Sequence, residues 1–178
     1  MKKTLTLFAI LSFLFVNAQS DEGTIYLKDS TEIKGLIKIK TFGGVKYKAN
    51  ESSDIIEYEN SQLNGYDIKE NGIITKYRFK EVQGVSRSMK IEKLGKINLY
   101  SIFVSNSGSA MGIGLPTSSG NVYFLEKNNV VIRTGAKFKY GKLYLIEDCP
   151  ILIDKIKTKE FKKREVIEII EYYNKKCI

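Results

Sequence analysis

Between Gly23 and Ile39 the chain alternates. Ile25 and Leu27 share one face, the run breaks at Lys28-Asp29-Ser30, and Ile33, Leu36, Ile37 and Ile39 resume around Gly35. A period of two on either side of a polar break predicts two strands and a turn. "VKYKA" and "DIIEYEN" follow, the latter with Ile56 and Tyr58 on one face and Glu57 and Glu59 on the other, and Gly43-Gly44 and Asn64-Gly65 are read as breaks. "IITKYRF" and "KINLYSIFV" predict a further strand pair around a stretch, Met89 to Leu94, whose type the pattern leaves open. Beyond the loop "SNSGSAMGIGLPTSSG" come "NVYFLEK", a turn at Asn128-Asn129, "VVIRT", and "KLYLI" from Lys142 to Ile146, each read as a strand. Short runs heavy in Ile, Val, Tyr and Phe at this spacing predict antiparallel sheet.

From Asp148 onward the period changes. "DCPILIDKIK" sets a carboxylate where an N-cap belongs and Pro150 in the first turn, where a missing N–H costs nothing. In "KKREVIEIIEYYNKKC", Val166, Ile169, Ile170, Tyr173 and Cys177 recur at helical spacing, with Glu165, Glu168 and Glu171 opposite and Glu171 placed for an i,i+4 pair with Lys175. The expected fold class is therefore α+β: an antiparallel sheet or small SH3-like barrel, further antiparallel strands, and a C-terminal pair of helices. The expected division is residues 1–18 as a signal peptide, 19–147 as the mainly β region, and 148–178 as the helical pair packed on it.

The leader rests on Lys2 and Lys3 ahead of an apolar run, Leu5 to Val16, that ends at the small residue Ala18. That run falls well short of the roughly 20 residues needed to span a bilayer. The expectation is a cleaved signal and a mature chain, periplasmic or secreted, without a transmembrane segment. The mature chain would carry 27 basic and 20 acidic residues, a net +7. Such a balance suits anionic partners, although a lysine-rich solvated surface accounts for it more simply.

Export changes the reading of the cysteines. Cys149 and Cys177, the only two, flank the helical pair, and in an oxidising compartment a disulfide is the expectation over two free thiols, a nucleophile or a metal site. The chain has no His, which removes Ser-His-Asp and Cys-His catalysis and His-ligated zinc together. No activated-serine or phosphate-loop motif occurs. Gly112-Ile113-Gly114 lacks the third glycine and the following helix of a phosphate cradle. Asp54, Glu57 and Glu59, with Glu51 nearby, are the carboxylates on which a glycan hydrolase would depend, but strand alternation explains Glu57 and Glu59 as a solvated face. Asn50-Glu51-Ser52 matches a glycosylation acceptor, a pattern chance readily produces. No residue set predicts a metal or cofactor. Lys155, Lys157, Lys159, Lys162, Lys163 and Arg164 cluster between the helices, and the last three crowd a helix N-terminus whose dipole prefers anions. Lys159, Lys162, Lys163 and Arg164 are thus a candidate anion-binding surface, set against the plainer account of a solvated turn. Nucleic acid is disfavoured, because no stacking aromatics or known motif accompany the cations.

The signal ending "NAQ", the opening "GTIYLKDSTEIKGLIKI", "GKINLY", "VYFLEKNN", "EDCPILIDKI" and "EIIEYYNKKC" together resemble a family of small exported Bacteroidota proteins of unknown function. Asp148-Cys149-Pro150 and Tyr173-Asn174 leading to Cys177 carry the resemblance most specifically. It implies location and layout and supplies no catalytic residue. The first half also resembles SH3-like or Sm-like barrels that begin with a strand, a turn and "G-x-I". The expected activity is that of a non-enzymatic module binding a protein or cell-surface component of the envelope. The alternative is a carboxylate-dependent hydrolase of envelope glycans.

Overall fold

A computed structural model describes residues 20–40, 43–104 and 119–177. The leader, and all but the end of the loop from Ser105 to Gly120, lie outside the described residues. Ten strands form one antiparallel sheet: β1 Asp21–Leu27, β2 Glu32–Ile39, β3 Val45–Lys48, β4 Ile56–Tyr58, β5 Leu63–Glu70, β6 Ile73–Val82, β7 Val85–Lys93, β8 Asn98–Val104, β9 Gly120–Lys127 and β10 Val130–Gly135. Helices α1 Pro150–Lys157 and α2 Val166–Lys176 follow. The fold is α+β, as the change of period implies. Three tight hairpins, at Asn71-Gly72, Gln83-Gly84 and Asn128-Asn129, have positive φ at both turn residues, the turn geometry whose twist matches paired strands.

The spatial order is β10-β9-β8-β7-β6-β5-β1-β2-β3-β4. Two meanders are joined where β5 pairs with β1. In a flat sheet β4 and β5 would stand four strand spacings apart, about 19 Å. Residues 59–62 connect them, a link that reaches at most about 17 Å and is mostly one 3-10 turn, Asn60–Gln62. The first five strands must therefore curl toward a small barrel. Ile25, Val45, Leu63 and Tyr66 are buried inside that curl, with Tyr58 and Phe79 packed against them. Among the described residues no pairing of β4 with β5 closes the curl, so of the two expected arrangements the antiparallel sheet is the one formed, curled but open.

The second meander bends the opposite way. The ammonium of Lys80 on β6 lies 2.6 Å from Glu126 on β9, although three strand spacings would separate them by about 14 Å in a flat sheet. Its inner face holds Val82, Met89, Tyr100, Val122 and Phe124. On the outer face Leu99 and Leu125 meet Leu152, Ile156, Val166, Ile169, Ile170 and Tyr173 of the helices, and this third core encloses both cysteines. Cys149 and Cys177 form a disulfide. No described helix is long and apolar enough to cross a membrane. Both facts are compatible with an exported protein.

Three local expectations are corrected. Lys142 to Ile146 is no strand but part of a 3-10 helix, Tyr140–Ile146; a five-residue apolar run has no decisive period, and Leu145 and Ile146 are buried among the helices. Asn64-Gly65 is not a break. Gly65 sits within β5, paired with Tyr26 on one side and Arg78 on the other, and a Cβ there would lie 2.3 Å from the Tyr77 carbonyl. Glycine in a strand marked close approach, not a turn. Asp148 does not cap α1, whose N-cap is Cys149. Its carboxylate instead accepts the Tyr173 hydroxyl at 2.6 Å and the Lys127 ammonium at 3.0 Å, bracing α2. The undecided stretch from Met89 belongs mostly to β7.

The helical layer is also held by Asn174. Its side chain accepts the Ile97 N–H at 2.9 Å and donates to the Ile97 carbonyl at 2.8 Å, as a neighbouring strand would. Ile97 is fully buried, so no water replaces these bonds. Asn174→Ala should cost about 1–3 kcal/mol and speed hydrogen exchange at the Ile97 amide. Unaltered exchange there would show that the two bonds do not hold the helix.

Candidate functional site

A groove of about 630 Å³ lies on the outer face of β2, β1 and β5, closed at its sides by the β3–β4 turn and the β5–β6 hairpin. Strand parity builds it. Glu22 opposite Leu36, and Thr24 opposite Lys34, point to the same side as Asp67 and Lys69. Leu36, Ala49 and Ile74 give it apolar surface, and Lys34, Glu51 and the Glu22–Lys69 ion pair, 2.8 Å, form polar margins. Lys69 holds the Glu22 carboxyl below its usual range. Asp67, mostly buried, accepts Arg78 at 2.8 Å and the Tyr26 hydroxyl at 3.0 Å, while the Arg78 guanidinium lies 4.4 Å from the Tyr26 ring centre. Burial and then the bond to Asp67 push the Tyr26 phenol up.

Gly23 and Gly35 face each other across β1 and β2 and let the sheet close tightly beneath the groove. A Cβ on Gly35 would lie 2.3 Å from the Lys48 carbonyl and 2.6 Å from the Tyr47 ring. Gly35→Ala should therefore cost about 1–3 kcal/mol in urea denaturation. An unchanged midpoint would mean that the strands separate there more easily than their packing implies.

A second polar centre sits inside the other half of the sheet. Glu126 accepts Lys80 at 2.6 Å, Tyr100 at 2.7 Å and Asn98 at 2.9 Å. Burial works to raise its pKa, but these three donors outweigh it and hold the carboxyl below its ordinary value. Burial, then Glu126, push the Tyr100 phenol up. Every acceptor on this carboxylate has a fixed donor, so the arrangement serves to position strands rather than to move a proton.

The carboxylates singled out in the sequence do not converge on either place. Glu57 pairs with Lys40 and Lys46, and Glu59 with Lys40, on the surface. Lys40, then Lys46, hold the Glu57 carboxyl low, opposite to what a general acid needs. Glu51 lies at the groove, whereas Asp54 is not part of its lining. Among the described residues no cluster of three or more potential ligands could hold a metal ion. Of the interhelix cations, Lys162 and Arg164 are exposed, Lys163 lies over the Tyr140 ring, and Lys159 occupies a left-handed position just past α1.

Sequence reasoning missed Lys80, Glu126, Asp67 and Arg78. A usable signal was present: Glu126 shares its strand parity with Val122 and Phe124, and Lys80 shares it with Val82. A charge at a core-facing position must be paired to be tolerated, so each announced a partner. Comparison of the chain with protein-family models, with curated proteins and with solved structures returned no match.

Proposed function

We propose that this chain is an exported, non-enzymatic module that binds an extended segment of a protein or other envelope component in the groove over β2, β1 and β5. The observation that carries the reading is the groove itself, apolar on Leu36, Ala49 and Ile74, polar at its margins, and built on paired strands. Such a surface is formed before its ligand arrives. Glu22 and Asp67 beside it are held by cations or a hydroxyl, an arrangement suited to shape and orientation. The glycan-hydrolase reading would have to recruit Asp67 or Glu51, and Asp67 is already engaged by Arg78 and Tyr26. The reading also takes residues 1–18 as a cleaved leader and the chain as a member of the exported Bacteroidota family it resembles.

A photo-crosslinking residue placed at Leu36 should give a discrete adduct in intact envelope, and the same residue at the exposed Phe103, on β8 away from the groove, should give none. Equal labelling from both positions, or none from Leu36, would dismiss the groove as the binding site. Hydrolysis of envelope glycan that is abolished by Asp67→Asn in a folded protein would replace binding with catalysis.

A further inference from the structure

The charge of this chain is concentrated in one span. Residues 133–164 carry ten basic and four acidic side chains, a net of 10 − 4 = +6, against 27 − 20 = +7 for residues 19–178. The fold draws the span together. The Phe138 N–H donates to the Lys163 carbonyl at 2.7 Å, which sets exposed Lys137 and Lys139 beside exposed Lys162 and Arg164. The expectation that no stacking aromatics accompany the interhelix cations is corrected by the fold, which brings two to this group: Tyr140 and Tyr144, 47% and 52% exposed, with the Lys163 ammonium 3.4 Å from the first ring centre and that of Lys142 5.9 Å from the second. Two of the nearby acids are already engaged, Glu160 by Lys155 and Asp148 by Lys127, while the Glu165 carboxylate accepts the Lys162 N–H at the edge of the patch.

Half-exposed rings set among cations give the patch both an apolar and a charged component. Tyrosine rings favour the headgroup level of a bilayer, and each Lys or Arg near an anionic leaflet adds roughly fivefold in affinity. We propose that residues 137–144 and 162–164 form an interfacial surface by which the protein rests on anionic lipid headgroups. The surface lies on residues 137–139, the 3-10 segment that follows them and the interhelix turn, none of whose residues lines the groove, so the inference stands independently of what the groove binds. It gives Lys162, Lys163 and Arg164 a common role: the cations at the start of α2 face lipid phosphate.

The test uses residues 19–178, which contain every described element and lack the apolar leader that would itself enter lipid. Co-sedimentation is measured with vesicles of phosphatidylglycerol in phosphatidylcholine and with pure phosphatidylcholine vesicles, and affinity for soluble heparin and duplex DNA by fluorescence titration, over about 0.05 to 0.5 M salt. The protein should bind the anionic vesicles, leave them as salt rises, and ignore the zwitterionic ones. Lys139→Gln with Lys162→Gln and Lys163→Gln should lower the affinity by about a hundredfold. Tyr140→Ser with Tyr144→Ser should weaken vesicle binding and leave any heparin binding unchanged, which separates a bilayer from a soluble polyanion. Failure of the unsubstituted protein to bind anionic vesicles, equal binding to both vesicle types, or tighter binding to heparin or DNA than to vesicles would each overturn the proposal. The first two outcomes need no variant, so they hold even if a substituted chain misfolds.

Discussion

Glu126→Leu should destabilise the protein by about 3–5 kcal/mol, the cost of leaving one member of a buried ion pair alone. The Glu126 side chain is only 12% exposed and that of Lys80 25%, and the substitution would also deprive Tyr100 and Asn98 of their acceptor. Because the pair joins β6 to β9 across the curl, the loss falls on tertiary closure rather than on any one hairpin. Lys80→Met combined with Glu126→Leu should cost clearly less than the two single substitutions summed, since the second removes the charge that the first leaves stranded. The pH dependence has a definite sign. The folded Glu126 carboxyl lies below its ordinary value, so its stabilisation is present above the unfolded carboxylate range, about 4.3, and is lost as pH falls through the folded pKa. The double variant should therefore show a shallower acid limb than the parent. A loss within about 1 kcal/mol for Glu126→Leu, the level of an exposed pair, would show that water reaches this carboxylate freely.

Replacing Cys149 by Ser should cost about 3–4 kcal/mol, the chain-entropy figure for a loop of this length, given the 28-residue separation of the bonded cysteines. Cys149 precedes α1 and Cys177 ends α2, so the bond ties the outer ends of a layer otherwise held on the sheet by apolar packing, by Asn174, by the bonds of Asp148 to Lys127 and Tyr173, and by the Lys93–Glu171 ion pair. Reductant should lower the thermal midpoint of the parent by the same amount as the substitution and leave the variant unmoved. Thiol labelling of both cysteines in untreated protein would contradict the pairing. Retention of full stability in Cys149→Ser would mean that the helices are held by the sheet alone.

Much of this architecture was legible along the chain because it depends on local period. Ile25 and Leu27 against Ile33 and Ile37, the Asn128-Asn129 turn, and Val166, Ile169, Ile170 and Tyr173 each declare a face that must be buried, and that is enough for strands, hairpins and the second helix. The cysteine pair was legible for a different reason, since two helices of similar length bring their outer ends together. What period cannot convey is which strands meet when they are distant in sequence. The pairing of β5 with β1, and the curl that brings Lys80 to Glu126, follow from the shortness of the 59–62 link and from the direction in which each half of the sheet bends. For the same reason Gly65 was mistaken for a turn and Lys142 to Ile146 for a strand. A glycine needed for close approach and one needed for a reversal read alike in one dimension, and a short apolar run fits either period until its neighbours choose. The groove over β2, β1 and β5 was beyond the sequence altogether. Its lining comes from five separate stretches of chain, each ordinary by itself, and only the closure of the sheet sets Leu36, Ala49 and Ile74 around one space.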